Sequence, residues 1–73
     1  MNYNTPTTEE MVTISTLIGR RRFGIGEIQV MAGIYNRIFN AKEQAKVCGN
    51  CVKRLISGLE RVYNENKDRQ YEP

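Results

Sequence analysis

Two cysteines separated by two residues, Cys48-Gly49-Asn50-Cys51, are the side chains best equipped for chemistry in this chain. They open the strongest helical pattern in the sequence. In the first turn of a helix, unpaired N–H groups and the positive end of the dipole favour a thiolate and lower its pKa. Three readings of the pair stand side by side. A thioredoxin-like redox pair has this spacing, but such a fold needs a strand running into the motif and a sheet behind it. Here the preceding residues are Lys42-Glu43-Gln44-Ala45-Lys46-Val47, and Pro6 and Pro73 lie too near the ends to face the pair. Half of a tetrahedral zinc site is chemically sound, because thiolates at i and i+3 can share one ion. The chain has no His, so the other ligands would come from a second chain. In the third reading both cysteines are reduced, partly buried small hydrophobes that close one end of a helix bundle. With two cysteines and no secretory leader, a metal site or free thiols is expected over a structural disulfide.

A second candidate is the run Arg20-Arg21-Arg22 beside Gly24 and Gly26. Guanidiniums on a glycine-rich turn can contact phosphates or anchor a protein partner. They also suit a helix C-terminus in a solvated turn, which is the preferred reading. A nucleotide cradle is not supported: Gln29 stands where a third glycine would be, and no G-K-[ST] follows. Glu9 and Glu10 belong to a helix cap, and Glu27, Glu43, Glu60 and Glu65 are scattered. With no His and no Ser in a nucleophile turn, acid–base and nucleophilic catalysis have no cast. The expectation is a non-enzyme without a small-molecule substrate or cofactor, zinc on Cys48 and Cys51 excepted.

The elements that position these groups follow from periodicity. Met1 to Pro6 reads as an arm, mobile unless a neighbour pins it. Thr7-Thr8-Glu9-Glu10 has the form of a capping box, and Met11, Ile14, Leu17 and Ile18 continue at helical spacing. A strand competes over residues 11–18, because Val12, Thr13, Ile14 and Thr16 are β-branched; the cap favours a helix. Gly19 to Gly26 is a linker. Ile28, Met31, Tyr35 and Ile38, widened by Ala32 and Phe39, form a second apolar stripe, with Gly33 a possible mark of a close helix crossing. Residues 41–46 read as a polar connection with room for a helical turn. Val52, Leu55, Ile56, Leu59, Val62 and Tyr63 form the third stripe, and 67–73 reads as a charged, fraying tail. The aromatic residues Tyr35, Phe39 and Tyr63 are expected in a core or dimer interface. No signal peptide or membrane span is expected, which points to the cytoplasm.

The fold class is therefore all-α: one domain over 7–66, with helices at roughly 8–19, 27–40 and 49–66. A 73-residue chain buries only about 60% of the surface it exposes when unfolded. Its helices are expected to be too short to cover all their apolar faces alone, which predicts a helical homodimer. The net charge of +3 suits a solvated surface, and keeps open a nucleic-acid-binding regulator that presents Arg20, Arg21 and Arg22 to a duplex.

The runs Ile34-Tyr35-Asn36-Arg37-Ile38-Phe39-Asn40 and Cys48-Gly49-Asn50-Cys51-Val52-Lys53-Arg54-Leu55 resemble short C-x-x-C proteins of tailed phages that infect Bacteroides-type gut bacteria, the crAss-like group. The resemblance covers the C-terminal half. It implies a small virion component, made in the host cytoplasm, with capsid decoration or head-fibre attachment as roles and other virion proteins as partners. It carries over no catalytic residues.

Overall fold

Three helices, α1 (Thr8–Ile18), α2 (Ile25–Phe39) and α3 (Gly49–Gln70), build the protein. The computed structural model describes residues 3–70, with side chains through 67. The helical reading of 11–18 holds and the strand alternative does not. Thr7 caps α1 as its spacing predicts: its Oγ1 accepts the Glu10 N–H at 3.1 Å, and its own N–H donates to Glu10 Oε1 at 2.9 Å. The two threonines that suggested a strand instead bond back along the helix, Thr13 to the Glu9 carbonyl and Thr16 to that of Val12, which Ser15 also reaches.

The second helix begins two residues earlier than its apolar stripe suggests, because Glu27 reaches back to accept the Gly24 N–H at 2.7 Å. It ends at Asn40, which adopts the left-handed conformation (φ 52°). Asparagine tolerates this conformation better than most residues, and it lets the Ala41 N–H bond the Asn36 carbonyl. The third helix runs four residues past its expected end at 66, into the stretch expected to be a fraying tail. Lys67 to Gln70 carry no apolar pattern to announce them, and residues 71–73 of that tail lie outside the described residues.

Helix directions follow from which ends meet. Glu10, at the start of α1, pairs with Arg37, at the end of α2, so these two run antiparallel. Ile28 shares a groove with Val52 and Ile56, while Tyr35 and Phe39 crowd Gly58. Helices α2 and α3 therefore run parallel, and the chain must travel back the length of α2 between them. Residues 41–48 do this as an extended strap rather than a helical turn. Eight extended residues span roughly 26 Å, enough to traverse a 15-residue helix of about 22 Å. Asn36 fastens the strap by two bonds to Glu43, donating to its carbonyl at 3.0 Å and accepting its N–H at 2.8 Å.

The core is Ile14 and Leu17 from α1, Ile28, Met31, Ala32 and Ile38 from α2, and Leu55, Leu59 and Val62 from α3. Tyr35, Phe39, Val52, Ile56 and Tyr63 pack half-buried against it. The expected interface or core positions thus pack inside one chain, while Val12, Ile25, Val30 and Val47 stay exposed, so the apolar faces are not all covered. The radius of gyration, 11.6 Å, is close to the roughly 11 Å of a folded chain this long.

Two smaller features complete the fold. The arm is pinned: the Asn4 N–H donates to the Ile38 carbonyl at 2.7 Å and its side chain to that of Arg37 at 2.8 Å. Pro6 is buried, whereas Met1 and Asn2 lie outside the described residues. The close crossing is at Gly58, not Gly33. A Cβ on Gly58 would lie 2.6 Å from Tyr35 Cε2, whereas one on Gly33 would meet nothing within 4 Å.

Candidate functional site

The two sequence features with chemical potential converge at one end of the molecule. The strap delivers Cys48 to the start of α3, where its sulfur takes the N-cap role by accepting the Cys51 N–H at 3.2 Å. One turn on, Cys51 is bonded to it. The Cα atoms are 5.3 Å apart, a separation at which a disulfide forms without backbone movement. The reading of two reduced, partly buried cysteines is thereby corrected. Cys48 is exposed and Cys51 half-buried, and they form one oxidised pair. Their i, i+3 spacing already allowed the bond; the compartment argument weighed against it. As a disulfide the sulfurs offer no thiolate to zinc, and among the described residues no three His, Cys, Asp or Glu side chains gather around a point.

A recess opens on each side of the pair. On the Cys48 side, a groove of about 380 Å³ is lined by Phe23, Ile28, Val47, Val52 and Ile56, with Arg21 and Lys53 at its edges. Val47 is 71% exposed. On the Cys51 side, a polar recess of about 330 Å³ carries Lys42, Lys46 and Arg54. Among the described residues the one acid lining it, Glu43, accepts from Arg54 at 3.3 Å. No acidic residue stands in the first turn of α3. The disulfide therefore lies in a cationic setting made from three separate stretches of chain.

The arginine run does not act as a block. Arg20 pairs with Glu27 across the α1–α2 turn, Arg21 edges the apolar groove, and Arg22 is exposed. Phe23 and Val47 were not singled out by sequence reasoning. The available signals were an aromatic residue within a glycine-rich turn and a valine next to the cysteine motif.

A second groove, of about 470 Å³, runs along the outside of α1 and α2 between Val12, Thr16, Gly26 and Val30, closed at one end by the Arg20–Glu27 pair. Val12 and Val30 are about half exposed, at 52% and 47%.

The opposite end is tied by polar contacts. Arg37 donates to Glu10 through Nε at 2.6 Å and to the Thr5 carbonyl at 3.0 Å. Burial raises the Glu10 pKa, but the Arg37 guanidinium and the Thr7 N–H outweigh it and hold the carboxyl below its ordinary value. The Tyr3 hydroxyl donates to Glu65 and accepts from Asn66 Nδ2 at 3.0 Å. Burial and the Glu65 bond raise its pKa.

No protein-family model, curated protein or solved structure matches the chain. Among the described residues, no helix is long and apolar enough to cross a membrane.

Proposed function

We propose that the chain is a non-enzymatic interaction module that works as a homodimer, with the outer groove of α1 and α2 as the face between copies. The observation that carries this is the pair of exposed valines, Val12 and Val30, on a strip that also carries the small residues Thr13, Thr16 and Gly26. Gly26 on the same strip would meet nothing within 4 Å if it carried a Cβ, so a second helix can approach the backbone closely. The Arg20–Glu27 pair at the rim offers both charge signs to a two-fold mate, which suits a self-complementary contact. The virion setting, and other virion proteins as further partners, rest on the resemblance of residues 34–40 and 48–55 alone. The nucleic-acid reading has less to draw on, because Arg20 is committed to Glu27.

Native mass or light scattering on the full chain tests the proposal. The expected result at micromolar concentration is twice the 8.4 kDa chain mass, returning to 8.4 kDa in a Val12→Glu/Val30→Glu variant that keeps its helical circular dichroism. A wild-type chain that stays at 8.4 kDa would overturn it.

A further inference from the structure

We propose that the Cys48–Cys51 disulfide is a thiol–disulfide exchange site for a cysteine-bearing polypeptide that is apolar around its cysteine and acidic beyond it. This goes beyond the interaction module and does not depend on it, since the two grooves share no lining residue.

Four observations meet at the pair. The two sulfurs differ in access: Cys48 is exposed and Cys51 half-buried, so an incoming thiolate reaches Cys48 first. Cys48 Sγ already accepts the Cys51 N–H at 3.2 Å, a bond that strengthens when the acceptor becomes a thiolate. An apolar groove begins beside Cys48 and ends at Phe23 and Ile56, with space for the side chains flanking a substrate cysteine. Among the described residues five cations line the two recesses, Arg21 and Lys53 on one side and Lys42, Lys46 and Arg54 on the other, against one carboxylate. Reactive cysteines occupy electropositive, partly exposed surroundings of this kind, whereas inert structural ones do not.

The exchange balances as a two-electron transfer from a substrate dithiol. One substrate thiolate attacks Cys48 Sγ; the Cys48–Cys51 bond breaks and its electron pair leaves on Cys51 Sγ, which takes a proton from water. The second substrate thiolate then attacks the substrate sulfur of the mixed disulfide and expels Cys48 as a thiolate, in the bond from the Cys51 N–H. The substrate leaves as a disulfide and the protein holds a dithiol. Run in reverse, the dithiol reduces a substrate disulfide.

The test uses full-length variants reduced with dithiothreitol and freed of it. Cys51→Ser isolates Cys48, and Cys48→Ser isolates Cys51. Against the anionic disulfide 5,5′-dithiobis(2-nitrobenzoate), Cys48 is expected to react about tenfold or more faster than Cys51. Adding Arg21→Glu and Lys53→Glu to the Cys51→Ser chain, both changes on the surface, is expected to lower that rate by about tenfold without slowing reaction with cationic cystamine. Equal rates for the two single-cysteine chains, or charge reversal that leaves the preference for the anionic probe unchanged, would overturn the proposal. Circular dichroism on each variant establishes that the rates belong to folded protein.

Discussion

The two ends of α3 are built on different principles. At its C-terminal end, Tyr3, Asn4, Glu10, Arg37 and Asn66 tie the arm, the start of α1 and the end of α2 into one network. Apolar packing continues under it, from Met11 to Val62. At the N-terminal end a disulfide, an extended strap and a glycine-rich turn surround an open apolar groove edged by cations. One end spends its side chains on each other, while the other leaves them facing solvent. The difference teaches where substitutions cost stability and where they cost function.

The largest effect is expected at Gly58. The Tyr35 ring that its Cβ would strike packs at a tilt against Phe39, with centroids 4.6 Å apart, so it cannot swing away freely. Gly58→Ala should destabilise the fold by about 2–3 kcal/mol in urea titration, and a Tyr35→Ala background should relieve much of that cost. Next comes Glu10→Gln, which weakens both the capping box and the Arg37 pair. A loss of about 1–2 kcal/mol is expected at neutral pH, the pair itself being discounted because Arg37 is 45% exposed. Since the folded state lowers the Glu10 pKa below 4.5, this stabilisation is present above that value and is lost as pH falls through the folded pKa. Wild type and variant should therefore converge in acid.

Tyr3→Phe keeps the ring against Phe39 but removes the hydroxyl shared by Glu65 and Asn66. It should cost about 1 kcal/mol. The raised Tyr3 pKa makes its contribution complete below pH 10.0 and lost as pH rises through the folded value, so the variant should lack this alkaline step. The smallest effects belong to the open end. Lys53→Glu and Val47→Ser should each change stability by less than about 0.5 kcal/mol, and a larger loss at either would erase the contrast between the ends.

How much of this could be read from the sequence divides along the same line. The Thr7–Glu10 cap and the stripes ending in Val62 and Tyr63 were legible because local spacing alone specifies them. The pinned arm was not, because Tyr3 and Asn66 lie 63 positions apart and meet only once the helices between them have folded. Glycine gave no clue to its neighbours: Gly33 and Gly58 look alike in sequence, and only the parallel course of α2 and α3 decides which one faces an aromatic ring. That course depends in turn on the strap, whose polar residues have no period of their own. For the candidate site, Cys48, Cys51 and Arg21 were recognisable by type, whereas Phe23 and Val47 became part of it only when the strap returned to the start of α2.

The most direct test of this division of labour is residue-resolved amide hydrogen exchange on the oxidised and the dithiol-reduced chain. Protection should be greatest from Leu59 to Asn66 and unchanged by reduction, with faster exchange confined to the first turn of α3 around Cys51 and Val52. If opening the disulfide lowered protection across all three helices, the bond would be a structural staple and the two ends would not be separable.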